Sequence, residues 1–131
     1  MDPQRLSRLD LFRSLNKRDL ARVAAWTDEI DVEAGTVLGR EGTYAYEFFV
    51  IEEGSATVAV DGETVAELGP DEWFGEIGII ESDRRTATVT ANTPMRLAVI
   101  FAPNFRTMTR QLPDVCAAIR AEMRERLARA S

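Results

Sequence analysis

The sequence predicts a mainly β domain with flanking helices, and three observations carry the prediction. Between Glu29 and Phe101, apolar residues alternate with polar ones or run unbroken over short segments, each bounded by Gly, Pro or Asp. Before and after that stretch the apolar spacing changes to a helical one. No internal repeat or low-complexity stretch interrupts this order. Short strands at regular spacing imply a β-sandwich, a jelly roll or a barrel. With 131 residues the chain is one domain, residues 1–131, long enough for a single good core and too short for two.

The elements follow in order. Over residues 6–26 the apolar positions Leu9, Leu11, Phe12, Leu15, Leu20, Val23 and Ala24 recur at near-helical spacing, broken at Asn16-Lys17. Two short helices are expected, with Asn16 capping the second because its side chain can accept from the amide of Asp19. Strands are expected over 29–101: Glu29 to Val32, Thr36 to Leu38, Glu47 to Glu52, Ser55 to Val60, Thr64 to Leu68, Ala87 to Ala91 and Arg96 to Phe101. Asp61-Gly62, between two of these, marks a tight hairpin of the primed type. Helices return over 103–130, where Pro103-Asn104-Phe105 begins a short turn and Pro113-Asp114 a second helix. Val115, Ile119, Met123 and Leu127 recur every fourth residue of that helix. This stripe has three readings: packing on the β layer, a lid over a bound group, or half of a dimer seam.

Composition narrows the function classes. Hydrophobic residues at 45% and charged residues at 29% describe an ordinary globule. Sixteen basic against 22 acidic residues give a net charge of -6, the wrong sign for a nucleic-acid binder. No run approaches a membrane span, and the N-terminus lacks a signal peptide's apolar core, so a cytoplasmic location is expected. The single Cys116 excludes an intramolecular disulfide and reads as a packing residue. Without histidine, a transition-metal site would rest on carboxylates alone.

The chemistry concentrates in Phe74-Gly75-Glu76-Ile77-Gly78-Ile79-Ile80-Glu81-Ser82-Asp83-Arg84-Arg85-Thr86-Ala87. Gly75-Glu76 opens a short apolar turn whose first amides would face an anion. Arg84 and Arg85 return to that turn, and Arg85 can grip a phosphate with its planar fork of donors. Glu76 faces the same spot. Its carboxylate would repel the phosphate, so it calls for a donor beside it, such as a sugar hydroxyl. Thr86 either touches the ligand or is a β-branched strand residue, and strict alternation allows Arg85 and Thr86 to share a ligand only if the segment is irregular there.

Phe74-Gly75-Glu76-Ile77-Gly78-Ile79, followed by Arg85-Thr86-Ala87-Thr88-Val89, resembles the phosphate-binding cassette of cyclic nucleotide-binding domains. The likeness extends to Gly35, Gly42, Phe48-Phe49-Val50-Ile51, Gly54 and Gly69-Pro70-Asp71, over roughly residues 9–129. The resemblance implies a double-stranded β-helix (jelly-roll) barrel with N-terminal helices and C-terminal B/C-type helices. It implies that Glu76 binds a ribose 2′-hydroxyl, that Arg85 binds the phosphate, and that amides at Gly75, Ile77, Gly78 and Ala87 add donors. The implied ligand is cyclic AMP, with cyclic GMP open because Thr86 occurs in domains that take it. Kinase subunits usually carry Pro where this chain has Arg84; several channel members have Arg.

Measured from Pro113, Arg126 falls where channel relatives place a lid arginine, or it belongs to a charged face with Arg120, Arg124 and Arg129. The expected protein is a sensor that takes a cyclic nucleotide and moves its C-terminal helix, acting on a protein effector as a monomer or weak dimer. No recognition helix follows before Ser131, so DNA binding is not expected. A cupin-like enzyme would share the jelly roll but would need clustered histidines, so no enzyme is expected. A jelly roll serving only as an interaction domain is the remaining alternative.

Overall fold

A computed structural model describes residues 1–130. The N-terminal segment forms α1 (Pro3–Leu6), a single tight turn at Asp10–Phe12 and α2 (Lys17–Trp26). Asp2 caps α1 through Gln4, and Asn16 caps α2 by accepting from the Asp19 amide at 2.8 Å, as its position predicts. The first expected helix is thus broken into α1 and the tight turn. Helix α2 runs directly into β1 (Thr27–Val32), where the buried Thr27 hydroxyl donates to the Val23 carbonyl at 2.6 Å.

Seven further strands follow: β2 (Val37–Gly39), β3 (Glu47–Glu53), β4 (Ala56–Val60), β5 (Glu63–Leu68), β6 (Trp73–Phe74), β7 (Thr88–Ala91) and β8 (Met95–Phe101). They form two antiparallel four-stranded sheets, in the orders β1-β8-β3-β6 and β2-β7-β4-β5. This is the double-sheet jelly roll. The predicted barrel is not closed by hydrogen bonds, since no ladder joins the two sheets among the described residues. Edge strand β6 is two residues long, and Gly75 at φ 98° turns the chain out of it before pairing can continue. The β4–β5 hairpin turns at Asp61 and Gly62, both at positive φ (52° and 81°), as a primed turn requires.

Alternation along β3 and β8 explains why both read as nearly continuous apolar runs. Phe48, Val50, Ala98 and Ile100 face the helices, where Phe48 meets Phe105 with ring centroids 4.8 Å apart. Phe49, Ile51, Leu97 and Val99 face the second sheet, and Phe49 stacks on Phe74 at 4.7 Å. Two cores therefore share one sheet, each burying large apolar side chains at roughly 1.5–3 kcal/mol apiece.

The expected short turn at Pro103 is a ten-residue helix, α3 (Ala102–Gln111), because Pro103 in its first turn needs no amide partner. The last helix, α4, runs Pro113–Ala130. Val115, Ile119 and Met123 are buried and account for packing, whereas Leu127 is 44% exposed.

Candidate functional site

A cavity of about 550 Å³ opens between the second sheet, the segment after β6 and the C-terminal half of α4. Four valines and a leucine form one side: Val58, Val60, Val65, Leu68 and Val89. At the other end lie Phe74, Gly75, Glu76, Ile77 and Gly78, with Arg85, Thr86 and Ala87 opposite and Arg126 entering from α4. Nine of the ten residues expected at the site therefore meet at one cavity. Arg84 does not line it.

Local backbone explains that division. After Gly75 the chain enters a single wide helical turn, Gly78–Ser82, with no side chain capping it, and leaves through Asp83 in the left-handed region (φ 60°). Residues 42–45 then hold the return segment: the Ala45 amide donates to the Asp83 carbonyl (2.9 Å), that of Arg85 to Thr43 (2.7 Å), and that of Gly42 to Arg85 (2.9 Å). Adjacent residues of this extended segment point opposite ways. Arg84 turns outward, its guanidinium 3.9 Å from the centre of the Tyr44 ring and donating to the Gly42 carbonyl at 3.1 Å. Arg85 turns inward. Strand β7 begins only at Thr88, so the irregular backbone before it lets both Arg85 and Thr86 line the cavity.

Arg85 is only 8% exposed, yet its guanidinium makes no hydrogen bond or ion pair among the described residues. It lies over the Phe49 ring, 5.8 Å from the centre. Burial pulls its pKa below the ordinary arginine value, opposed by the charges of Glu47 and Glu76, but a guanidinium keeps its proton. The result is a cation held in the wall of a largely apolar cavity, an arrangement suited to an anion. Two glycines make room for it. A Cβ on Gly75 would stand 2.6 Å from Arg85 Nη1 and 2.6 Å from the Glu47 carbonyl, and one on Gly39 would stand 3.2 Å from Arg85 Nε.

Glu76 is fully buried. Its Oε1 accepts from Arg126 Nη1 at 2.7 Å, while Oε2 is buried with no hydrogen-bond partner. Burial raises its pKa above the ordinary carboxyl value, with the Arg126 charge as the chief opposing influence. Arg126 also donates through Nη2 to the Trp73 carbonyl and through Nε to Glu122 Oε1 at 3.3 Å. The fork of Arg126 thereby ties α4 to the segment carrying Glu76, so Arg126 is not one of a solvated row. The site offers a buried cation for an anion, a buried carboxylate oxygen for a hydroxyl donor, and an apolar wall for a flat group. Among the described residues no cluster could hold a metal ion, and no helix is long and apolar enough to cross a membrane.

Sequence reasoning missed Gly39, Glu72, Glu122 and the valine wall. The wall had a signal in the shared parity of Val58 and Val60 on one strand. Glu122 lies one helical turn before Arg126, a spacing that brings two side chains together.

Residues 29–111 match the model of the cyclic nucleotide-binding domain. A cyclic nucleotide-gated potassium channel of Rhizobium etli is 33% identical over 94% of this chain and 34% of its own length. A cAMP-dependent protein kinase regulatory subunit of Schizosaccharomyces pombe is 31% identical over 79% of this chain and 25% of its own. The chain thus spans a quarter to a third of the length of these curated relatives. Among solved structures, the catabolite activator protein of Thermus thermophilus superimposes with a TM-score of 0.78 at 23% identity, covering 92% of this chain and 59% of that one.

Proposed function

Because this chain belongs to the cyclic nucleotide-binding domain family, we propose that the cavity takes cyclic AMP and that α4 carries the response. The observation behind the reading is the juxtaposition of an unpaired, nearly buried Arg85 with an unpaired oxygen of the fully buried Glu76. Arg85 takes the cyclic phosphate and Glu76 Oε2 the ribose 2′-hydroxyl, and amides of Gly75, Ile77, Gly78 and Ala87 supply further donors. The valine wall takes the purine. Cyclic AMP is preferred over cyclic GMP because the kinase relative is a cAMP-dependent one, while Thr86 at the cavity keeps cyclic GMP as the comparison ligand.

Arg126 holds the same carboxylate that the ribose would reach, so a ligand at Glu76 bears directly on α4. The role is regulatory rather than catalytic, exercised on a protein effector. A cyclic nucleotide signal and a lone cysteine both suit the cytoplasm. Thermal unfolding tests the reading: cyclic AMP at a hundredfold excess over its dissociation constant adds about 2.7 kcal/mol of stability, raising Tm by several degrees. No shift with millimolar cyclic AMP or cyclic GMP would leave a jelly roll that serves only as an interaction domain.

A further inference from the structure

A second buried acidic element lies on the helix side of the first sheet, outside the nucleotide cavity. We propose that Glu52 holds a proton beneath Arg5 and beside Glu29, and that this proton seats the N-terminal helix on the sheet, so that the seat loosens as pH rises.

The geometry puts two carboxylates against one cation. Arg5 of α1 reaches Glu29 Oε2 of β1 at 3.0 Å and Glu52 Oε1 of β3 at 3.6 Å. The side chain of Glu52 is only 10% exposed, and its Oε2 is buried with no hydrogen-bond partner. It follows Phe48 and Val50 on the helix side of β3, at an irregularity where β3 slips register against β8 between Ile51 and Glu53. The other charges facing it do not restore balance. Arg96 of β8 is engaged by Asp31 of β1 at 3.0 Å and is also drawn by the charge of Glu53. With Glu52 protonated, a single carboxylate meets Arg5 and these three groups together are neutral. Without that proton, a second negative charge is left in a mostly buried place.

The Glu52 carboxyl is pushed up to about 7, foremost by burial, then by the Glu29 carboxylate beside it, while Arg5 and Arg96 oppose. A closed seat therefore holds its proton across the interval from 4.5 to about 7, where an opened, hydrated seat has lost it. Rising pH favours any opening that brings water to Glu52. One residue away the Ile51 amide donates to the Glu72 carbonyl and the Ile51 carbonyl accepts from the Asp71 amide, both at 2.9 Å, holding the loop that leads into β6.

The test uses the whole chain and does not depend on any nucleotide. Carboxyl-carbon NMR should show Glu52 titrating near 7. Hydrogen exchange over residues 3–9, corrected for its intrinsic pH dependence, should report an opening constant that grows about ten- to a hundredfold from pH 5.5 to 8, allowing for partial solvent screening. Glu52→Gln, which keeps a donor toward Glu29 without a titrating charge, should flatten that dependence. Titration of Glu52 near 4.5, or an undiminished dependence in Glu52→Gln, would overturn the proposal. Should the variant not fold, the titration of the unaltered chain decides alone.

Discussion

Replacing Arg126 by alanine should expose how much of this molecule rests on one buried ion pair. Glu76 is fully buried, and Arg126 at 2.7 Å is its one side-chain partner among the described residues. Breaking such a pair from one side costs about 3–5 kcal/mol, because the remaining charge keeps its desolvation and loses its partner. Protonation limits that loss. Neutralising a carboxyl costs about 1.4 kcal/mol for each pH unit above its ordinary value. From the ordinary 4.5, the ceiling is therefore roughly 4.8 kcal/mol at pH 8 and under about 1 kcal/mol at pH 5.

Since the folded state already binds the Glu76 proton more tightly than the unfolded state, stability falls as pH rises above 4.5, and losing Arg126 steepens the fall. Urea unfolding of both proteins at pH 5, 6.5 and 8 measures this. The difference between variant and parent should grow from about 1 kcal/mol to about 3–4 kcal/mol across that range. Taking the difference cancels the contribution of Glu52. Adding Glu76→Gln to Arg126→Ala should recover most of the loss at pH 8. A loss below about 1 kcal/mol at every pH would refute the stabilising tie between Arg126 and Glu76.

Three further outcomes are expected. Arg85→Ala should weaken cyclic AMP binding by about 3–5 kcal/mol, whereas Arg84→Ala should change it little because that side chain lies on Tyr44; calorimetric affinities in the reverse order would contradict the assignment. For 2′-deoxy cyclic AMP, affinity should drop by about 1.5–3 kcal/mol through the lost hydrogen bond to Glu76, and equal affinity would remove that role. Gly78→Ala puts a Cβ 2.6 Å from the Arg84 carbonyl and 2.8 Å from Ala45 Cβ, so melting should show about 1–3 kcal/mol of lost stability, and an unchanged Tm would mean the turn has slack.

The cassette was legible because its signal is local: Gly75, Glu76 and Arg85 lie within eleven residues, and their chemistry constrains one another. Strands with one buried face were legible from alternation, and β3 and β8, buried on both faces, from unbroken apolar runs. β6 was not, since two residues carry no period. The two arginines could not be told apart by spacing. What separates them is Tyr44, forty residues earlier, brought beside Arg84 by backbone pairing. Arg126 had two equal readings for the same reason, because its partner Glu76 is fifty residues away and only the packing of α4 joins them. The Glu29 and Glu52 pairing likewise depends on which strands flank β8.

The most direct test of the central claim is calorimetric titration of the chain with cyclic AMP, cyclic GMP and linear AMP in parallel. Cyclic AMP should bind saturably at one site. Linear AMP, which brings a second phosphate charge toward one buried arginine and an opposing carboxylate, should bind at least about tenfold more weakly, a difference of about 1.4 kcal/mol. Saturable heat with neither cyclic nucleotide, or equal affinity for linear AMP, would contradict the assignment of this cavity to a cyclic phosphate.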